Sequence, residues 1–372
     1  MADATTIFSS GESFRGYTIV KLLGKGGLGE VYLARGPNGG NCAIKVLYPQ
    51  AAKDKPEYVK RFLREAKIAM SVRHPNLVAV HDVGHDETRD VYYLVMDYVQ
   101  GSDLRTAIAI GGAMDHHEAV RIIACVAGAL AAGESYSVVH RDIKPENIMI
   151  TGDGTVKLVD LGVAKARGTD SLRTMQKTVF GTPNYISPEQ AVDSSAVDGR
   201  ADVYSLGVVL FELLAGRHPY ARPLTKDTLD FLLSPEPLPD IREFAPSVPV
   251  HISALLQLMC AKDPAKRIGS VAKLLDTLAK FGYDVAKLEA ERQSHAAAPS
   301  QDFDYAAVAS APANNTLSFE TQDDEIREFV QHLKTRRLKK RIWGTVLAVL
   351  VFAAVFVALA FLIVILGSDR VV

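Results

Sequence analysis

Eight residues near the middle of the chain, His140-Arg141-Asp142-Ile143-Lys144-Pro145-Glu146-Asn147, limit what it can be more than any other feature. They place a base, a cation and a metal ligand in one short segment. Asp142 can orient a hydroxyl and accept its proton, Lys144 two positions on can neutralise a moving phosphate, and Asn147 five positions on can bind magnesium. That spacing is what phosphoryl transfer from ATP requires. A merely solvated polar loop has no reason to hold these side chains at these offsets.

Further residues suited to the same chemistry lie on either side of the segment. Gly24-Lys25-Gly26-Gly27-Leu28-Gly29-Glu30-Val31 comes after an apolar, strand-like stretch from Tyr17 to Leu23. Gly24, Gly26 and Gly29 let a turn lie over triphosphate oxygens without Cβ obstruction, although such a run alone is as often an ordinary hairpin turn. Sixteen residues after Gly29, Cys42-Ala43-Ile44-Lys45 places a lysine in an apolar strand. Such a lysine is costly unless paired. Glu65, in the helical run Tyr58–Val72, is the candidate partner, and its competing reading is a solvent-facing helix carboxylate. Tyr92–Val95 reads as a buried apolar strand. Thirteen residues past Asn147, the strand Val156–Val159 leads into Asp160-Leu161-Gly162, and Gly181-Thr182-Pro183-Asn184-Tyr185-Ile186-Ser187-Pro188-Glu189 follows.

In this order the motifs resemble those of protein kinases over about residues 16–284. The Gly-Gly-Leu-Gly-Glu-Val-Tyr run, the Arg64-Glu65-Ala66 helix, His74-Pro75-Asn76-Leu77-Val78 and Ser187-Pro188-Glu189-Gln190 point to bacterial, membrane-linked serine/threonine kinases of the eukaryotic-like (Hanks) type. The resemblance implies an α+β bilobal protein kinase fold, with a β-rich lobe, a helical lobe, and ATP and Mg between them. It implies roles as well. Asp142 and Lys144 are catalytic, Asn147 and Asp160 hold magnesium, and Gly24, Gly26, Gly29, Val31 and Lys45 bind ATP with Glu65 paired to Lys45. Met96 is the gatekeeper, with Asp97, Tyr98 and Val99 as the adenine hinge. Thr182 lines the substrate site, and Asp103 matches a position that often contacts ribose or peptide. Glu189 pairs with Arg267, Asp202 braces the catalytic loop and His140 is a packed support. Leu161 stands where the family has Phe and keeps an apolar plug. Thr174 and Thr178, ahead of Thr169 and Ser171, are the preferred phosphorylation sites, their phosphate meeting Arg141 and Lys165.

The implied activity is a non-specific serine/threonine protein kinase that autophosphorylates and acts on protein substrates. The competing class is a membrane-anchored pseudokinase scaffold. Its usual mark, loss of a catalytic residue, is not seen. A small-molecule kinase is disfavoured by the complete activation segment and Thr182. A net charge of −1 argues against nucleic acid as a partner. Cys42, Cys125 and Cys260 lie too far apart for a zinc-type or disulfide framework and suit a reducing cytosol. The first thirteen residues have no signal-peptide pattern. A homodimer stays open.

At 372 residues and 48% hydrophobic, the chain has room for more than a kinase. Residues 1–15 read as an N-terminal extension and 285–321, rich in Ala, Ser, Pro, Asn and Asp, as a flexible linker. In 322–341, Ile326, Phe329, Val330 and Leu333 recur at helical spacing before six basic residues, Lys334, Arg336, Arg337, Lys339, Lys340 and Arg341. The uncharged run 342–366, led by Trp343, would measure roughly 37 Å as a helix, enough to cross a ~30 Å hydrocarbon core with tilt. The basic cluster predicts a single-pass protein of the cell inner membrane, its kinase domain cytoplasmic and a short tail, 367–372, outside. The position of the span predicts post-translational, tail-anchored insertion, with input arriving from the cytoplasm, the membrane or a partner.

Overall fold

Alternating apolar residues build the first lobe, because period-two patterning gives every strand two distinct faces. A computed structural model describes residues 6–54, 56–136, 138–159, 183–192, 197–220 and 231–295. Strands β1 (Ser13–Phe14), β2 (Tyr17–Gly26), β3 (Gly29–Arg35), β4 (Asn41–Leu47), β5 (Val80–Asp86) and β6 (Val91–Asp97) form one antiparallel sheet in the order β1-β2-β3-β4-β6-β5. Register fixes its faces. Tyr32 pairs with Ile44 and Ile44 with Val95, and these residues join Phe8, Phe14, Ile19, Ala34, Val46 and Tyr93 in the lobe's core. The neighbouring pairs, Val31 with Lys45 and Ala43 with Met96, therefore lie on the opposite face. Parity lets Lys45 sit in an apolar strand without entering that core, and a one-residue slip would bury it there.

Two helices follow β4: α1 (Pro49–Asp54) and α2 (Pro56–Ala69). Val59, Phe62, Ala66 and Ala69 make the buried stripe of α2 at helical spacing. The helix stops three residues short of the expected Val72, in a tight turn where Ser71 N–H donates to the Ile68 carbonyl.

The second lobe contains α3 (Leu104–Gly111), α4 (His116–Glu134), α5 (Pro188–Val192), α6 (Arg200–Ala215), α7 (Val250–Met259), α8 (Val271–Lys280) and α9 (Val285–His295). A small sheet, β7 (Gly101–Asp103), β8 (Ile148–Thr151) and β9 (Val156–Leu158), carries the segment that joins the lobes. Every residue from Ala201 to Leu214 is buried, which makes α6 the central helix. It ends at Gly216 in the left-handed region (φ 66°), where the glycine N–H donates to the Glu212 carbonyl. Asn76 and its neighbours tie the first lobe to β9: its side-chain amide donates to the Val156 carbonyl (2.9 Å), and Val78 N–H donates to the Leu158 carbonyl (3.0 Å). All three cysteines are buried and unbridged.

Both expected domain limits shift. Residues 7 and 8 belong to the first lobe, not to an extension: Phe8 is 2% exposed, Ile7 N–H donates to Glu30 and Phe8 N–H to the Tyr32 hydroxyl. The expected linker opens with α9, which docks on α4 because the buried Arg121 guanidinium donates to Glu289 (2.5 Å) as well as Glu118 (2.7 Å). The remainder of the expected linker, the juxtamembrane segment, the span 342–366 and the tail lie outside the described residues. Among the described residues no helix is long and apolar enough to cross a membrane.

Candidate active site

A cleft opens where the second face of the large sheet meets the catalytic segment. Val31 and Ala43 line it from β3 and β4 together with Lys45, the run Met96–Val99 lines it at the end of β6, and Met149 and Val159 line it from β8 and beyond β9. Asp142, Lys144 and Asn147 complete the lining. The lining combines apolar side chains, Val31, Ala43, Val78, Met96, Val99, Met149 and Val159, with the charged and amide groups of Lys45, Asp142, Lys144 and Asn147, a make-up that suits a ligand with an aromatic part and a charged part. Nine residues expected from the sequence meet here: Val31, Lys45, Met96, Asp97, Tyr98, Val99, Asp142, Lys144 and Asn147. Val78 and Met149 also line the cleft and were not anticipated. Their apolar side chains carry no signal that separates a cleft wall from a core.

The catalytic segment is held mostly through its backbone. Asp202, at the first turn of α6, accepts from the N–H groups of His140 and Arg141, each at 2.8 Å. Burial pushes the Asp202 carboxyl up, opposed by the His140 charge and those two N–H groups. Arg141 adopts a left-handed backbone conformation (φ 62°) that a non-glycine residue keeps only when its surroundings enforce it. Its carbonyl accepts from Gln190 (3.1 Å) and its guanidinium donates to the Val197 carbonyl (3.2 Å). The kink brings the next side chain to the cleft. The Asn147 amide nitrogen donates to the Asp142 carbonyl (2.7 Å) and to its carboxylate (3.2 Å), and Lys144 Nζ lies 3.3 Å from the same carboxylate oxygen. With that nitrogen committed to Asp142, the Asn147 amide oxygen is left as an acceptor. An amide oxygen is a donor that suits a hard divalent cation.

Glu65 sits beside the buried stripe of α2 with one carboxylate oxygen out of contact with solvent, which removes the solvent-facing reading. The Gly-rich run is a hairpin in which Gly26 pairs with Gly29. A Cβ on Gly29 would stand 2.0 Å from the Val46 carbonyl oxygen, so strand packing demands this glycine whatever lies above the turn. Asp103 does not line the cleft. It is buried and caps α3, accepting from Thr106 N–H at 2.8 Å, and burial raises its carboxyl to about 6 despite that bond. The expected braces are present: Arg267 meets both Glu189 oxygens, at 2.7 and 3.0 Å, and His140 is buried beneath its loop. Asp160, Thr174, Thr178 and Thr182, with Leu161, Lys165, Thr169 and Ser171, lie outside the described residues.

The protein kinase domain family matches residues 17–278. The serine/threonine-protein kinase PrkC of Bacillus subtilis is 36% identical over 277 residues, 74% of this chain and 42% of that protein. The serine/threonine-protein kinase PknB of Mycolicibacterium smegmatis is 36% identical over 316 residues, 82% of this chain and 50% of that protein. The chain spans about half the length of the curated relatives it matches. The crystal structure of the Mycobacterium tuberculosis PknI kinase domain superposes with a TM-score of 0.57 at 32% identity, covering 73% of this chain and 98% of that one. With the cleft, the catalytic segment and the two lobes in place, the chain belongs to the protein kinase domain family.

Proposed function

We propose that this protein is a serine/threonine protein kinase held at a membrane by residues 342–366. The observation that carries the reading is the convergence of Asp142, Lys144 and Asn147 with Lys45 and the Met96–Val99 run on one cleft. Lys45 holds the triphosphate, and Glu65 fixes its position. Asp142 orients the acceptor hydroxyl and takes its proton as the oxygen attacks the γ-phosphorus and the bond from that phosphorus to the β–γ bridging oxygen breaks, releasing ADP, while Lys144 offsets the charge that develops. Asn147, with Asp160, would hold magnesium, which would supply positive charge to offset that of the phosphates. Met96 to Val99 receive the adenine, and Thr182 completes the acceptor side. The names of the relatives support a protein hydroxyl as acceptor. Full-length protein given ATP, magnesium and a general protein acceptor should transfer phosphate, and Asp142→Asn should lower the rate by at least about a hundredfold. Equal transfer by both proteins would refute the assignment.

Membrane attachment rests on the uncharged run 342–366 and the six basic residues before it, which set the catalytic domain in the cytoplasm of a single-pass inner-membrane protein. Arg in place of Val351 and Val355 adds about 2.5–3.5 kcal/mol each near the helix centre, enough to release the protein. Full-length protein that carbonate strips from membranes would exclude a span. Control by phosphate at Thr174 or Thr178 rests on Arg141 beside the catalytic Asp. Phosphopeptide mapping after incubation with ATP should find modification between Thr169 and Thr178, and an unmodified, fully active segment would exclude it.

A further inference from the structure

Arg105, the second residue of α3, reaches into a junction of three other elements. Its Nε donates to Glu146 Oε1 (3.1 Å), one terminal nitrogen donates to Glu212 Oε1 (2.5 Å), and the other donates to the Tyr185 hydroxyl. That hydroxyl in turn donates to Glu212 Oε2 (2.5 Å). The elements it joins bear on the chemistry. Glu146 directly precedes Asn147 in the catalytic segment, Tyr185 lies three residues past Thr182, and Glu212 is on the same central helix as Asp202. Glu146, Glu212 and Tyr185 are all buried, whereas the Arg105 side chain remains 35% exposed.

Two buried carboxylates this close to one another need a cation, and only a planar fork of donors can meet both together with a hydroxyl. The second Glu146 oxygen, Oε2, is buried with no hydrogen-bond partner among the described residues. Arg105 is thus the side-chain partner that fixes Glu146, and without it the carboxylate must turn to find another. Asn147 is covalently next in line, and its amide is what holds Asp142. We infer that Arg105 is a positioning residue for phosphoryl transfer: it locks the catalytic segment, the chain leaving Thr182 and the central helix into one register. The inference rests on the kinase reading above. Arg105 does not line the nucleotide cleft, so its loss acts on turnover and on the acceptor and not on ATP affinity.

Steady-state kinetics of full-length wild type, Arg105→Gln and Arg105→Lys, with ATP and a general protein acceptor, test this. Arg105→Gln should lower kcat by about tenfold or more, the scale of a small misplacement at a reacting centre, with KM for ATP within about twofold of wild type. Arg105→Lys keeps the charge without the fork, so it should keep the wild-type melting temperature to within a few degrees while recovering only part of kcat. A folded Arg105→Gln protein with wild-type kcat overturns the inference, as does a rise in KM for ATP that matches the fall in kcat. If Arg105→Gln does not fold, Arg105→Lys decides, and full kcat there overturns it. A wild-type protein that transfers no phosphate would instead bring down the kinase reading beneath it.

Discussion

Burial holds the Asp103 proton on up to about pH 6, whereas an unfolded chain releases it near the ordinary carboxylate value of about 3.9. Between those values the folded protein binds more protons than the unfolded one, so this residue makes stability fall as pH rises from about 4 to about 6 and leaves it lowered above that. Asp103→Asn keeps an oxygen to cap α3 and removes the ionisation. It should raise stability at pH 7 by about 2 kcal/mol in denaturant titrations and by almost nothing at pH 4. An equal gain at both pH values would show that the carboxyl is not the cause. In the cleft, Lys45→Met keeps the length of the side chain and should cut phosphoryl transfer at least about a hundredfold, near 2.7 kcal/mol of transition-state stabilisation, with unchanged folding. Lys45, Asp142 and Asn147 were legible in the sequence because charged and amide groups at fixed offsets have few structural excuses. Val78, Met149 and Asp103 were not. The first two look like any core residue, and the third shares its residue type with both a ligand contact and a helix cap, which only burial separates.

Pairing between strands explains more about the first lobe than turn chemistry does. The glycine at position 29 reads in the sequence as clearance for phosphates, yet β3 and β4 approach so closely that any Cβ would strike the Val46 carbonyl. Gly29→Ala should therefore destabilise the protein by about 1–3 kcal/mol through overpacking, measurable by thermal or chemical unfolding in the absence of nucleotide. A loss of ATP binding without any loss of stability would restore the phosphate explanation. In the second lobe, the Arg267 side chain is fully buried against Glu189. Arg267→Met should cost toward the lower end of the ~3–5 kcal/mol seen when a buried pair loses one member, since Glu189 is partly solvated. The strand Tyr92–Val95 was readable from its apolar run and the existence of α2 from its helical pattern, whereas the α2 end and α9 were not. Helix α9 is largely polar and is held by the buried Leu288 together with Glu289 meeting Arg121.

At the scale of the molecule, the bilobal plan was legible because five separate motifs had to appear in order, while its limits were not, because a boundary is decided by what the terminal residues pack against. Ending the chain at Leu288 would remove Glu289 from Arg121 and Cys125, whereas ending it after His295 keeps that contact. The shorter protein should melt several degrees lower; matching melting temperatures would show that the Glu289 contact contributes nothing to the fold. The buried thiols give a way to watch such differences. Burial raises the Cys42 thiol and takes Cys125 and Cys260 up to about 12, so the reactive thiolate is scarce and shielded at neutral pH. An alkylating reagent can reach each one only when its surroundings open. Cys42 lies in the small lobe's sheet, Cys125 beneath α9 and Cys260 against the central helix, so time-resolved alkylation read by mass spectrometry would assign a separate opening rate to three parts of the protein with no engineered label.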